Sequence, residues 1–203
     1  MAEIGRRLIP LMLLGDGQVG KTSLISRLTG NTFKESQLAT VGKESYIYQI
    51  NMHGYDLKMK IWDTAGQERF KSMSVQAIKA SEGVILVYAI NNLNSFKSLD
   101  TWIVKLNQTT DISKKPIIII GNKNDLEESE RKITYEEGKK YAESKGYHFY
   151  EASAKSGEKI NEAFNDIFEQ LYKNFEDEIT GKVPEDQNIK LKKTKSTSSR
   201  FRC

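Results

Sequence analysis

Several features that would define other classes of protein are scarce in this chain. It holds one cysteine in 203 residues, which excludes an internal disulfide framework and fits a reducing compartment. No apolar run approaches the roughly 20 residues needed to span a bilayer. Two arginines before residues 8–14 give the start a superficial likeness to a signal peptide, but no small-residue cleavage site follows. We therefore expect a cytoplasmic chain with one domain, residues 1–176, and a flexible tail, residues 177–203.

The part of the chain that is expected to fold also lacks an excess of basic residues. The net charge is +4, but residues 182–203 alone carry +5, from seven Lys or Arg and two acids. The first 181 residues therefore carry about −1. Because nucleic-acid binding needs a basic patch or stripe, we expect no nucleic-acid partner.

Strand and helix patterns alternate along the chain, which favours an α/β fold. Short apolar or alternating runs predict strands at residues 8–14, 45–51, 57–62, 84–90, 117–120 and 148–151. Helical patterns cover about 21–28, 68–80, 94–109, 135–145 and 160–175. This order predicts a mostly parallel sheet with helices on both faces. Ligands in such sheets bind at the carboxyl ends of the strands, where every motif below falls.

The clearest motif is the octet after the first strand, Gly15-Asp16-Gly17-Gln18-Val19-Gly20-Lys21-Thr22. It fits the phosphate-loop pattern, in which glycines let backbone N–H groups turn inward toward a polyphosphate. Lys21 supplies a charge for the outer phosphates, and the Thr22 hydroxyl is a hard ligand for Mg²⁺. We assign the octet and the following Ser23 to nucleotide binding. By itself the motif names neither the base nor the reaction.

A second motif, Trp62-Asp63-Thr64-Ala65-Gly66-Gln67-Glu68, follows the third predicted strand. Asp63 at a strand end is suited to hold Mg²⁺, directly or through water. Gly66 lets a backbone N–H approach the terminal phosphate, and Gln67 can orient an attacking water. An isolated Asp-x-x-Gly is more often a turn, and its place after a phosphate loop favours the functional interpretation.

Two further motifs follow the last two strands. In the first, Asn122-Lys123-Asn124-Asp125, the carboxylate of Asp125 suits the paired N–H groups on one edge of guanine, which adenine lacks. Asn122 and Lys123 can tie this loop to the phosphate loop or cover the base. The second is Glu151-Ala152-Ser153-Ala154-Lys155, where the Ala154 N–H would meet the guanine oxygen and Lys155 would pack over the ring. Each of these two motifs, taken alone, also fits a polar turn or a helix start.

The order and spacing of the four motifs resemble the Ras-superfamily small GTPases over about residues 8–175. The resemblance implies a six-stranded phosphate-loop GTPase domain that binds GTP and GDP with Mg²⁺ and hydrolyses GTP slowly, with Gln67 as the catalytic residue. It also places Thr40 as the first-switch threonine and Phe33 as the ring beside guanine. The implied metal ligands are Thr22, Thr40 and Asp63, and Ser153 completes the base-binding set.

Within the superfamily the chain is most similar to the Rab family. The similarity lies in residues 66–70, in the pattern of Asn94-Ser95-Phe96 and Trp102, and in Thr40-Val41-Gly42. Two departures are Lys43-Glu44-Ser45, where Rabs have an acidic-aromatic pair, and Gln18, where Rabs have a small residue. Rab membership implies a switch in vesicle trafficking, with an exchange factor, a GTPase-activating protein and effectors as partners.

Cys203 and the basic tail predict reversible attachment to the cytosolic face of a membrane. One lipid chain on Cys203 binds only marginally, and the tail's positive charge would supply a second anchoring signal. An unmodified thiol is the alternative, because the chain has neither a pair of terminal cysteines nor a Cys fourth from the end.

Two other functions remain open on the sequence alone. One is a divergent Ras-superfamily GTPase or a poorly hydrolysing guanine-nucleotide-binding adaptor that acts outside trafficking, suggested by the unusual Gln18 and switch residues. The other is an adenine-nucleotide kinase or ATPase on the same loop, which the role assigned to Asp125 argues against.

Overall fold

The computed structural model describes residues 8–33, 43–64 and 75–181. Predictions that concern Thr40, Gly66, Gln67 and Cys203 therefore lie outside the described residues. So do residues 68–74 of the helix predicted over 68–80.

Among the described residues, six strands form one sheet in the order β2-β3-β1-β4-β5-β6. They are β1 (Leu8–Leu14), β2 (Lys43–Met52), β3 (Tyr55–Thr64), β4 (Gly83–Ala89), β5 (Ile117–Asn122) and β6 (His148–Ala152). β2 and β3 pair antiparallel, and every other pairing of these strands is parallel. The predicted α/β fold with a mostly parallel six-stranded sheet is confirmed.

The side chains of the central strands alternate between two separate cores, as the pleat of a strand requires. In β1, Ile9, Leu11 and Leu13 join one buried cluster, while Met12 and Leu14 join the other. β4 is buried along its whole length. Strands buried on both faces read as continuous apolar runs, which is why these were recognisable in the sequence.

Helices cover both faces of the sheet. They are α1 (Lys21–Leu28), α2 (Val75–Ala80), α3 (Leu93–Thr109), α4 (Tyr135–Lys145), α5 (Ile160–Asn174) and α6 (Glu176–Thr180). Residues of α1, α5 and α6 pack in the first cluster, and residues of α2, α3 and α4 pack in the second.

Side-chain caps define where two of these helices begin. The Asn92 side chain accepts hydrogen bonds from the backbone N–H groups of Asn94 and Ser95 at the start of α3. At α4 the predicted capping box is present, since Thr134 and Glu137 each bind the other's backbone N–H. Capping satisfies N–H groups that have no partner within the helix, and so fixes the starting residue.

One helix, α6, was not predicted, and the expected domain boundary between residues 176 and 177 falls inside it. The helix has five residues and no side-chain cap, so its local signal is weak. Burial of Ile179 in the first cluster stabilises it instead. This long-range contact cannot be read from a local pattern.

Candidate functional site

Two positions in the loop between β1 and α1 leave no room for a Cβ atom, so each requires glycine. A Cβ atom on Gly15 would overlap the Val87 carbonyl oxygen, and one on Gly20 would overlap the Asn122 amide nitrogen. Both glycines also have a positive φ, 152° and 95°. The tight backbone expected of a phosphate loop is therefore built into its packing.

Gln18 has an unusual conformation at the rim of this loop. Its φ is 64°, in the left-handed region where a residue other than glycine loses about 1–2 kcal/mol. The Gln18 side chain is exposed, whereas the neighbouring Val19 is buried and Gly17 is partly buried. The loop thus holds a long polar side chain at its surface at an energetic cost.

Lys21, the first residue of α1, lies buried across the loop. Its ammonium donates hydrogen bonds of 2.9 Å to the carbonyl oxygens of Gly15 and Asp16. Burial lowers the pKa of Lys21 from 10.5 to about 8, although the carboxylates of Asp63 and Asp16 act in the opposite direction. An anion bound in the loop would offset this desolvation, so the lysine environment fits a phosphate ligand.

Thr22 and Asp63 offer two oxygen ligands side by side. The Thr22 hydroxyl donates to the Asp63 carboxylate at 2.5 Å, and Asp63 is fully buried at the end of β3. In the described ranges no cluster of three or more His, Cys, Asp or Glu could hold a metal. A hydroxyl and one carboxylate suit Mg²⁺, which keeps several waters and takes its other ligands from phosphates.

The carboxylate of Asp16 accepts a hydrogen bond of 3.2 Å from the indole N–H of Trp102 in α3. Both residues are buried. Trp102 was not among the predicted site residues, since its place on the buried face of a helix indicates only a core position.

Asn122, at the end of β5, connects the phosphate loop to the loop after β6. Its amide nitrogen donates to the Val19 carbonyl oxygen at 2.7 Å. Its side-chain oxygen accepts from the Ala154 backbone N–H at 3.2 Å. One side chain thereby holds three predicted site segments in a fixed relation.

Ser153 organises the loop that follows β6. Its hydroxyl donates to the Asp125 carboxylate and accepts from the backbone N–H groups of Lys155 and Ser156, both at 3.0 Å. Asp125 and Lys155 are exposed, while Ser153 and Ala154 are buried. The buried Ser153 hydroxyl therefore orients the Asp125 carboxylate, which is the group assigned to base recognition.

The remaining predicted site residues in the described ranges are Lys123, Phe33 and Ser23. Lys123 has a φ of 76°, and burial lowers its pKa, with the charge of Asp125 opposing this. Phe33 is partly buried and packs against the first core cluster. Ser23 is partly exposed in the first turn of α1.

Arg27 is a further residue that the sequence did not single out. Its guanidinium donates to the Ser156 carbonyl oxygen at 3.1 Å and so joins α1 to the loop after β6. A surface arginine on a helix carries no local signal for such a contact.

The fold and this site define a phosphate-loop nucleotide-binding protein of the α/β class. The sequence model of the Ras family matches residues 10–173. The chain belongs to the Ras family.

Individual relatives are Rab proteins. The chain is 37% identical to Ras-related protein Rab-13 of Mesocricetus auratus over 169 residues, 82% of this chain and 81% of that protein. It is 35% identical to Ras-related protein Rab-8B of Bos taurus over 100% of this chain and 99% of that protein. It is 33% identical to Ras-related protein RABE1e of Arabidopsis thaliana over 92% of this chain and 84% of that protein.

Family membership fixes the ligand and the reaction class. The chain is a small GTPase that resembles the Rab proteins and binds GTP and GDP with Mg²⁺. Among the helices of the described residues, none has the length and apolar character needed to cross a bilayer.

Proposed function

We propose that this chain is a Rab-like switch that regulates membrane trafficking through effectors bound in the GTP state. The observation that carries the proposal is the convergence of the phosphate loop, the Thr22–Asp63 pair and the Asn122 and Ser153 loops. Full-length similarity to a Rab protein supports the assignment of the role to trafficking.

In the proposed mechanism the phosphates bind to Lys21 and to the backbone of residues 15–22. Thr22, Asp63 and Thr40 would hold Mg²⁺, whose charge offsets that of the phosphates. Gln67 would orient the attacking water, and Gly66 would allow a backbone N–H near the terminal phosphate. An arginine supplied by an activating partner adds on the order of 10³ to 10⁵ in rate.

Guanine is selected by the loops after β5 and β6. The Asp125 carboxylate, held by Ser153, would accept the two N–H groups of the guanine edge. Ala154 would present its N–H to the guanine oxygen, and this N–H also donates to Asn122 at 3.2 Å. Lys123, Lys155 and Phe33 would pack against the base.

The readout of the switch comes from two segments, near residues 35–45 and 65–77. Thr40 would contact the terminal phosphate and the metal only in the triphosphate state, so that hydrolysis would release the segments. An exchange factor, a GTPase-activating protein and effectors act on these two states.

For the tail we propose reversible attachment to the cytosolic face of a membrane. The GTPase domain would extend through α6, whose Ile179 is buried in the first core cluster, and the tail would follow this helix. A prenyl group on Cys203 would bind marginally alone. The net charge of +5 on residues 182–203 would add roughly 1 kcal/mol per basic residue near an anionic leaflet.

A second candidate function is an adaptor that holds GTP with very slow turnover, inside or outside trafficking. The observation that favours it is Gln18, whose exposed side chain stands at the rim of the phosphate loop with a φ of 64°. A side chain there would stand in the way of water or a partner's arginine, while binding itself would be retained.

The trafficking role is tested by locking the nucleotide state in the native cell. Gln67→Leu, which removes the group that orients water, should accumulate the GTP form on membranes. Thr22→Asn, which removes a metal ligand, should weaken GTP binding and give the opposite effect on transport of a secreted reporter.

Cys203→Ser serves as the anchoring control and should leave the Gln67→Leu protein soluble with its nucleotide state unchanged. Unaltered reporter transport with both locked forms would refute a trafficking role. A bare Cys203 thiol in mass spectrometry of native protein would refute prenylation.

A further inference from the structure

The contact between Trp102 and Asp16 links a helix outside the nucleotide loops to the phosphate loop. Trp102 is 4% exposed, Asp16 is 3% exposed, and the residues are 86 positions apart in sequence. The indole N–H donates to the Asp16 carboxylate at 3.2 Å. A hydrogen bond to a buried charged group is among the stronger ones that a protein forms.

Asp16 is fixed through both its side chain and its backbone. Trp102 binds its carboxylate, and the Lys21 ammonium binds its carbonyl oxygen at 2.9 Å. Lys21 also binds the carbonyl oxygen of Gly15 at 2.9 Å. A shift of Asp16 would therefore also move the lysine that faces the phosphates.

The Trp102 ring belongs to the same buried cluster as Ala77 and Ile78 of α2. This helix directly follows residues 65–74, the segment that contains Gln67. The indole thus shares a buried cluster with α2 and donates its N–H to the phosphate loop.

We propose that Trp102 is a positioning residue for nucleotide binding. Its N–H holds the phosphate loop, through Asp16, in the conformation that retains guanine nucleotide, and thereby slows nucleotide release. The inference extends the site to α3 and rests on guanine nucleotide binding at this loop.

The test removes the N–H and leaves the shape of the ring. Trp102 is replaced by β-(3-benzothienyl)alanine, in which sulfur takes the place of the ring nitrogen, and the release of a fluorescent GDP is timed. We expect release about tenfold faster or more, from the loss of one hydrogen bond to a buried carboxylate, with the thermal midpoint of the GDP-bound protein within a few degrees of wild type.

A double-mutant cycle ties the effect to Asp16. Asp16→Ala should accelerate release by a similar factor, and combining it with the Trp102 replacement should add little, since both remove one contact. Asp16→Asn keeps an acceptor oxygen for the indole and should fall closer to wild type. Effects that multiply in the double variant would overturn the proposal.

Leu106→Val is the matched control for a packing change. Leu106 lies on α3, is buried in the same cluster as Trp102 and carries no polar atom in its side chain. The control should release GDP at the wild-type rate. If it matches the Trp102 replacement, or if that replacement releases at the wild-type rate, the positioning role is refuted. A wild-type chain that retains no guanine nucleotide would refute the site itself.

An NMR measurement tests the contact itself, while the GDP release rate at an unchanged thermal midpoint separates a positioning role from a structural one. The chain has two tryptophans, so its spectrum holds two indole N–H signals, which Trp62→Phe assigns. The Trp102 signal should exchange slowly with solvent in the GDP-bound protein, and Asp16→Ala should shift it and speed its exchange. An unchanged signal would contradict the contact.

Discussion

The Asn122 amide nitrogen lies 2.7 Å from the Val19 carbonyl oxygen and joins two loops that are 103 residues apart. The same side chain accepts from the Ala154 N–H at 3.2 Å. It therefore connects the segment that binds phosphates to the segments proposed to bind the base. Nucleotide affinity should therefore depend strongly on this one buried amide.

Asn122→Ala should weaken GDP binding by about tenfold or more. The change leaves a buried carbonyl and a buried N–H without their partner, at about 1–3 kcal/mol for each such group. Titration of a fluorescent GDP measures the loss. Asn31→Ala is the control, because Asn31 is exposed and its amide binds only the nearby Thr29 hydroxyl among the contacts described. Equal affinities for the two variants would argue against the connection.

Asp125→Asn should change the preferred base from guanine to xanthine. Xanthine carries an oxygen where guanine carries an amino group, and the new amide can donate to that oxygen. Competition between GDP and xanthosine diphosphate measures the preference. Asp177→Asn, at an exposed position on α6, should leave it unaltered. Undiminished GDP affinity in Asp125→Asn would count against base reading at this residue.

Gly138→Ala should destabilise the protein, although alanine normally favours a helix over glycine by about 1 kcal/mol. Gly138 lies inside α4, where an added Cβ would overlap the Tyr88 hydroxyl and approach Phe149 Cζ to 2.6 Å. Overpacking of this kind costs about 1–3 kcal/mol. Urea unfolding of the GDP-bound protein measures the difference.

Tyr88→Phe is the matched variant at this contact. The Tyr88 hydroxyl is buried and finds no hydrogen-bond partner among the described residues, so its removal should change stability by less than about 1 kcal/mol. In the Tyr88→Phe background, Gly138→Ala should cost less than in the wild type. Equal costs in both backgrounds would show that the hydroxyl does not cause the crowding.

Proton uptake should accompany GDP binding near pH 8. The pKa of Lys21 is lowered to about 8 by burial, and a bound phosphate would raise it again. At pH 8 the free lysine is half protonated, so binding should take up about half a proton, and much less at pH 7. Calorimetry in buffers of different ionisation enthalpy measures this number. No uptake at pH 8 would contradict the lowered pKa.

The lowered pKa of Lys21 also predicts how the free energy of unfolding of the nucleotide-free protein depends on pH. Between about pH 8 and 10 the unfolded chain keeps the Lys21 proton and the folded chain loses it. Stability therefore rises with pH across this window, because the unfolded state binds more protons there. Lys21→Met should reduce the rise in unfolding measurements on the nucleotide-free protein, and what remains would come from Lys115 and Lys123, whose pKa values are also lowered by burial.

Local patterns were enough to predict the strands, most helices and the motif loops. Residues 84–89 of β4 and residues 117–120 of β5 are apolar without interruption, and α4 has a capping box at Thr134, so each of these elements could be recognised from its local sequence. The ends of parallel strands meet at one edge, which is why residues at four strand ends were correctly expected near each other.

Long-range side-chain contacts could not be predicted from the sequence. The partners of Asp16 and Ser156 are Trp102 and Arg27, which lie 86 and 129 residues away. Their pairing depends on how helices pack on the sheet, and neither residue type at its position indicates it. The left-handed conformation of Gln18 was equally invisible, because the loop backbone and not the residue's own preference imposes it.

Single-turnover hydrolysis of GTP tests the central claim most directly. The wild-type chain, loaded with GTP and Mg²⁺ at 25 °C, should convert it slowly to GDP and phosphate, and a broad-specificity GTPase-activating protein should accelerate the reaction by at least about 10³. Gln67→Leu should bind GTP equally well and hydrolyse it far more slowly. A wild-type chain that holds GTP but hydrolyses none, alone or with the activating protein, would contradict the account of a hydrolysing switch.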